Sequence, residues 1–260
     1  LYDNSTADRN TAVGYAAMIR NTTGQYNVAL GLCALCANTT ANYNTAVGGY
    51  ALNGNTTGVC NTAHGYYSLF ANTTGSQNTA TGYKSLASNT TASYNTVAGV
   101  CALYSNTTGA SNNAFGFKAL VTNTTGGGNN AFGTGTLTNN TTGTFNVAIG
   151  PNALTANTTS SYNTAIGRNA GCSNTTGTCN VYVGYGANGS ATIGNAVAIG
   201  CGASATATND FILGNSSHVV DIPSSKLTIG GSSGTSGYVL CTDGSNNVAF
   251  GENCTIIDMS

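Results

Sequence analysis

The stretch NTTGSQNTATGYKSLAS, from Asn72 to Ser88, is followed at once by NTTASYNTVAGVCALYS, from Asn89 to Ser105. The two phrases agree in outline and hold one charged side chain between them, Lys84. The opening NTT recurs at every seventeenth position, at Asn21, Asn38, Asn55, Asn72, Asn89, Asn106, Asn123, Asn140, Asn157 and Asn174, and NST at Asn4 extends the series backwards. Eleven copies thus fill residues 4 to about 187. With each copy numbered from its first Asn, the consensus is N-T-T-[G/A]-x-x-N-x-A-x-G-x-x-[A/S]-L-x-x. Positions one, three, seven and eleven (Asn, Thr, Asn, Gly) do not vary. Position nine is Ala except at Val97 and Tyr182. Position fifteen is Leu from Leu35 to Leu154, Met18 in the first copy, and fails at Gly171 and Asn188.

A fixed period means stacked supersecondary units. One copy is too short for two helices with their turns, and Asn, Thr and Gly are poor helix formers. Short strands between Asn and Gly turns fit better. The expected fold is all-β, a parallel β-solenoid with one copy per coil over residues 1–187, followed by a β-rich C-terminal region over 188–260. Coils stacked at the ~4.8 Å strand spacing would make a rod of roughly 50 Å. Ala at position nine and Leu at position fifteen are expected inside, and the variable position ten on an outward or inter-subunit face. Gly at position eleven suits a bend or a left-handed φ. Strands are expected at 211–214, 218–222, 226–229, 237–241 and 247–250, in a part of the chain that would pack on the solenoid or on partner chains.

Stacking sets like side chains above one another. The Asn columns are therefore expected to form amide ladders, one through Asn21, Asn38, Asn55, Asn72, Asn89, Asn106, Asn123, Asn140, Asn157 and Asn174, the other through Asn27, Asn44, Asn61, Asn78 and Asn95. The same NTT is an N-glycosylation sequon. Candidate acceptors are Asn4, Asn21, Asn38, Asn55, Asn72, Asn89, Asn106, Asn123, Asn140, Asn157, Asn174, Asn188 and Asn215, with Asn253 in addition. Glycans on every coil would be rooted only about 5 Å apart, so the ladder reading is preferred and sparse modification stays open.

Composition excludes much else. Charged residues are 5% of the 260, against roughly 25% in ordinary soluble domains. Six scattered Lys and Arg cannot neutralise a phosphate backbone, so no nucleic-acid partner is expected. No apolar run approaches the ~20 residues of a membrane span, so no membrane insertion is expected. The chain begins at Leu1 without a signal peptide and reads as a processed or truncated product. Nine Cys point to an oxidising compartment. Their places in the repeat suggest Cys172–Cys179, Cys36–Cys60 and Cys241–Cys254 as disulfides, with free cysteines as the alternative. Cys33 and Cys36 form a C-x-x-C without the second ligand pair that zinc needs. His64 sits at the variable position ten. His218 and Asp221 stand beside Ser216 and Ser217 but lack the rest of a triad. Residues 11–209 contain no Asp or Glu, so the paired carboxylates of a glycosidase are missing. No catalytic residue, metal or cofactor is expected. The two Thr of each NTT are adjacent and point to opposite sides of a strand, unlike the two-file Thr face of an ice-binding solenoid.

The phrases NTAVGYAAM (10–18), NTAVGGYAL (44–52) and NVAIGPNAL (146–154) resemble the head repeats of trimeric autotransporter adhesins, and resemble still more the repeat shafts of phage and viral tail-fibre proteins. NAVAIGCGASATATNDFILGNSS (195–217) is similar to the adhesin heads again. LTIGGSSGTSGYVLCTDGSNNVAFG (227–251) looks like the segment that follows the repeats in many tail fibres. The resemblance implies a left-handed β-roll, a homotrimer and an elongated, surface-exposed role. The period is longer than is usual in autotransporter heads, and no coiled-coil stalk is present.

The leading expectation is a non-enzymatic fibre on a virion or cell surface, extracellular, giving reach and adhesion through self-assembly and contact with surface glycans. The alternative is the subunit of an extracellular filament that polymerises end to end. A glycan-degrading tail spike or an ice-binding protein comes third.

Overall fold

The computed structural model describes residues 3–217, together with the backbone of 239–242 and 248–251. It divides into two compact units, 1–219 and 220–260. The first is a parallel β-solenoid, all-β and without helix among the described residues. Its strands are Thr11–Val13 (β1), Val28–Leu30 (β2), Thr45–Val47 (β3), Thr62–His64 (β4), Thr79–Thr81 (β5), Thr96–Ala98 (β6), Asn113–Phe115 (β7), Asn130–Phe132 (β8), Val147–Ile149 (β9), Thr164–Ile166 (β10), Val181–Val183 (β11), Asn188–Gly189 (β12), Val197–Ile199 (β13), Ser204–Ala205 (β14) and Phe211–Leu213 (β15). Thirteen of them stack in one parallel sheet, β1 to β11 in sequence and then β13 and β15. Register follows the repeat: Ala63 faces Ala80, and Ala80 faces Val97. At the strand spacing the stack is roughly 60 Å tall.

Positions eight to ten are the strand of each regular coil; the last, shortened coils add a second short pair, β12 with β14. The rest is held to its neighbours by backbone hydrogen bonds outside the sheet, such as Thr56 N–H to Thr73 O (2.9 Å) and Leu69 N–H to Ser85 O (3.0 Å). Two reasons keep the second half of the coil from extending. Gly at position eleven has φ near +130°, and a Cβ on Gly65 would lie 2.5 Å from the carbonyl oxygen of Gly82 in the next coil, so backbone passes against backbone there. Positions thirteen and fifteen are then left-handed in non-glycine residues, including Leu69 (φ 49°) and Leu86 (φ 51°). That conformation costs about 1–2 kcal/mol per residue. It is offset by burying the Leu completely and by the coil-to-coil hydrogen bond of its amide.

The interior is narrow. Each coil contributes Ala at position nine and Leu at position fifteen, as expected, and also the small residue at position fourteen: Ala34, Ala51, Ser68 and Ser85 are all fully buried. The Ser hydroxyls turn back onto the position-eleven carbonyls, Ser68 to Gly65 O and Ser85 to Gly82 O, both at 3.0 Å. Position ten faces outward: Val13, Leu30, Phe132 and Ile149 are exposed.

The stack does not end at residue 187, where the expected domain boundary lay. Val181 of β11 pairs with Val197 of β13, one position short of the usual step, and Val197 pairs with Phe211 of β15, two positions shorter again. The coils shorten, but the strand column continues to Leu213. The change of period begins with a core exchange. Tyr182 occupies position nine, where other coils have Ala, and is fully buried. Its ring takes the space of the missing Leu: a Cβ on Gly171 would lie 2.6 Å from Tyr182 Cδ2 and 2.8 Å from Leu154 Cδ2. Gly189 gives way likewise beneath the phenol oxygen.

In the second unit Val239–Thr242 (β16) and Val248–Gly251 (β17) pair as an antiparallel hairpin, close to the expected 237–241 and 247–250. The strands expected at 218–222 and 226–229, and the whole of Cys254, lie outside the described residues.

The Tyr182 hydroxyl is buried without a hydrogen-bond partner. Tyr182→Phe should therefore stabilise the chain by about 1 kcal/mol or more, read as a raised midpoint in denaturant. Desolvation pushes this phenol up to about 12, whereas in the unfolded chain it ionises near 10. Below about pH 10 neither state is ionised, and between 10 and about 12 the unfolded state alone loses the proton, so stability falls as pH rises through that window. The gap between Tyr182→Phe and the parent should widen there by roughly 2 kcal/mol.

Candidate functional site

The two invariant Asn columns meet inside the coil. Asn89 donates from Nδ2 to Asn72 Oδ1 (2.8 Å) and to its own coil's Ala92 carbonyl (3.0 Å), while its Oδ1 accepts from Asn106 Nδ2 (3.0 Å). The same pattern links Asn38 to Asn21, Asn55 to Asn38, Asn72 to Asn55, Asn123 to Asn106, Asn140 to Asn123, Asn157 to Asn140 and Asn174 to Asn157. The second column works on backbone. The amide N–H groups of Asn44, Asn61, Asn78 and Asn95 donate to Oδ1 of Asn27, Asn44, Asn61 and Asn78. Asn61 Nδ2 reaches the Gly75 carbonyl at 2.8 Å, the same oxygen that Asn72 Nδ2 uses. Both columns thus converge on the position-four carbonyl, and every one of these Asn is fully buried.

The sequon Asn of positions 21 to 174 accordingly have no exposed amide to offer in the folded coil. Asn4, Asn188 and Asn215 differ: Asn4 and Asn215 are exposed and Asn188 half-buried. A further sequon, Asn139 with Thr141, is also exposed. It was legible in the sequence but hidden by its overlap with the one at Asn140.

The two Thr of each NTT part company. At position two the hydroxyl joins the ladder, as Thr22 Oγ1 to Thr39 O (3.0 Å) and Thr73 Oγ1 to Thr90 O (3.0 Å). At position three Thr23, Thr57, Thr74, Thr91 and their equivalents are exposed in every coil, and among the described residues their hydroxyls donate to no protein group. One free file of hydroxyls is therefore presented, not two.

The cysteine expectations are corrected. Cys33, Cys36, Cys60, Cys101, Cys172, Cys179 and Cys201 are free thiols, so neither Cys172–Cys179 nor Cys36–Cys60 forms; Cys241–Cys254 involves a residue outside the described set. Left-handed backbone at position six sets Cys60 (φ 59°) and Cys179 (φ 60°) in an exposed column. Cys36 and Cys172 are half-buried at position sixteen, Cys36 beside Cys33 and Cys172 in contact with Asn188 Nδ2 at 3.4 Å. Burial, with Cys33 next to it, pushes the Cys36 thiol up, which is the wrong direction for a nucleophile.

His64 lies exposed on the outer face of β4, and His218 and Asp221 lie outside the described residues. Among the described residues no cluster of His, Cys, Asp and Glu could hold a metal. Asp210 is held below the usual carboxylate range by the backbone amides of Ala207 and Thr206, at 2.9 Å each. It closes a turn.

The outer surface instead carries aromatic columns. At position six Tyr26 stacks on Tyr43 (5.2 Å) and Phe145 on Tyr162 (5.5 Å), and at position ten Phe115 stacks on Phe132 (4.9 Å). Cations lie over rings: Arg9, which also neighbours Asp8, on Tyr26, Lys118 on Phe117 and Arg168 on Tyr185. No model of a known family, no curated protein and no solved structure matched this chain.

Asn89→Ala would strand the Asn106 amide and the Asn72 oxygen in the interior, so a loss of about 2–5 kcal/mol is expected in chemical denaturation, while Thr91→Ala stays within about 0.5 kcal/mol. In a glycosylating host, peptide mapping should find no glycan at Asn21 through Asn174 of the NTT series and, among the sequons of the described residues, should confine occupancy to Asn4, Asn139, Asn188 and Asn215; sugar on Asn55, Asn72 or Asn89 of folded material would contradict the buried ladder.

Proposed function

We propose that the chain is a non-enzymatic fibre protein of an extracellular surface, virion or cell, which supplies reach and adhesion and assembles as a homotrimer. The observation that carries this reading is the division of labour within each coil. The inward Asn positions are invariant and satisfy one another. The outward position ten is apolar yet exposed near one end of the stack: Ile149, Ile166, Ile199 and Leu213, with exposures of 41%, 40%, 37% and 45%, climb the sheet with the half-buried Val183 among them. Contiguous exposed apolar surface on a soluble protein marks an interaction surface. Here it is a straight file parallel to the stack, which suits rods packed side by side. Such packing would bury the file, as a chain with so few charges needs.

The resemblance to adhesin heads and tail-fibre shafts favours three chains over two. Adhesion would fall to the outward columns, whose residues change from coil to coil without touching the ladder. The absence of acids over 11–209 gives no support to a glycosidase, and the single free Thr file gives none to ice binding.

Sedimentation of the purified protein should give a particle of three times the single-chain mass, and negative-stain images should show discrete short rods. Ile166→Asp, on the outward face of β10, should shift the sample to monomer while the β spectrum persists. A monomeric parent protein would overturn the reading, and fibres of indefinite length would replace it with end-to-end polymerisation.

A further inference from the structure

One corner of the rod is not a simple column. Side chains from the last third of successive coils converge on an open cleft of about 670 Å3 lined by Tyr66, Tyr67, Phe70, Tyr83, Lys84 and Ser88. Left-handed backbone at Tyr67 (φ 58°) and Lys84 (φ 53°) splays neighbouring side chains apart at this corner. Tyr66 packs edge-on to Tyr67 (4.5 Å), which leans on Phe70 (4.7 Å) and stacks on Tyr50 (5.0 Å). Tyr66 and Tyr83 lie parallel, 5° apart in plane and 6.0 Å between centroids. Gly49 makes room for this arrangement: a Cβ there would lie 3.1 Å from the Tyr66 ring. Both rings keep nearly half their surface open, 46% for Tyr66 and 45% for Tyr83.

The charge in the cleft is singular. Lys84 is the only Lys or Arg between Arg20 and Lys118, and no acid occurs from residue 11 to 209. Its ammonium rests 5.3 Å from the centre of the Tyr83 ring and has no carboxylate partner among the described residues. The cleft thus offers parallel phenol faces on neighbouring coils, a rim of hydroxyls and one uncompensated positive charge. Pyranose rings have an apolar C–H face that packs on phenol and hydroxyls that meet Tyr and Ser oxygens. Tyr supplies such contact at low entropic cost, and the volume is that of a small-ligand site. A peptide strand would want an open sheet edge, and these coils are paired to their neighbours above and below.

We propose that this cleft binds a carboxylated oligosaccharide, with sugar rings on Tyr66 and Tyr83 and the carboxylate on Lys84. The proposal rests on the adhesive reading above and gives it a site and a ligand class. The test presents the full chain with immobilised sialylated and uronic-acid oligosaccharides, their neutral counterparts and a polyglutamate peptide. The acidic sugars should bind. Tyr83→Ala should weaken them about ten-fold or more, Lys84→Gln should abolish the preference for acidic over neutral sugars, and Tyr43→Ala, in another aromatic column, should change nothing. Thermal melts should be unaltered, because these side chains lie outside the ladder. The cleft is overturned if the parent chain ignores the acidic sugars, if Tyr83→Ala binds as the parent does, or if polyglutamate is preferred. Attachment of the parent chain to whole cells tests adhesion separately: attachment that Tyr83→Ala retains would remove the cleft and leave the adhesive reading standing.

Discussion

The buried carboxamide is the constraint on which this structure depends. An Asn side chain taken out of water must find partners for both its donors and its acceptor, at a cost of about 1–3 kcal/mol for each one left unmet. Within a single coil it cannot do so. Asn89 needs the oxygen of Asn72 on one side and the amide of Asn106 on the other, and the position-four carbonyl takes an Asn from its own coil and one from the coil before. Each coil is therefore completed by its neighbours. This pins the register: a slip by one residue would exchange inward and outward faces and leave a whole column unpaired.

The same dependence explains how so little apolar surface suffices. Two small side chains and one Leu would not fold a lone coil, least of all one with several residues in left-handed conformations. Stability has to accrue at the contacts between coils, as in other repeat proteins, through hydrogen bonds made by strand and turn alike. The coils near residue 182 show what the plan permits. Ala becomes Tyr, Leu becomes Gly, the ring fills the space the Leu would take, and the strand column passes through two successive shortenings of the coil. Interior filling and strand register are preserved where residue count is not.

Much of this was legible in the sequence because a repeat exposes its constraints. The constant step, the inward Ala and Leu, the outward position ten and the Asn columns all follow from which residues recur. Three features were not legible. Left-handed φ at Leu69 or Leu86 contradicts the residue's own preference, since tertiary packing and not local propensity selects it. The cysteine pairings failed because flanking the same turn in the repeat does not set two side chains face to face: Cys60 and Cys179 stand in an exposed column, while Cys36 and Cys172 are half-buried. The cleft was invisible because its residues belong to different coils and to variable positions, where repetition carries no signal. Invariance located the scaffold and, on the surface, marked only the position-three Thr file.

That separation bears on how such a protein acquires a binding site. In a compact globular domain a new surface residue shares neighbours with the core, and change is coupled to stability. Here the side chains at positions six, ten, twelve, thirteen and sixteen stand outside a closed interior network, so one coil can be altered while those above and below it keep their hydrogen bonds. A binding site then arises where several permissive positions are filled at once, as with Tyr66, Tyr67, Tyr83 and Lys84 on two neighbouring coils, with Gly49 left bare on the coil before to seat a ring. Arg9, Lys118 and Arg168, each over a single ring, show the same elements without the enclosure. What distinguishes the cleft is coincidence of height and corner, a property of the stack and not of any one copy of the repeat.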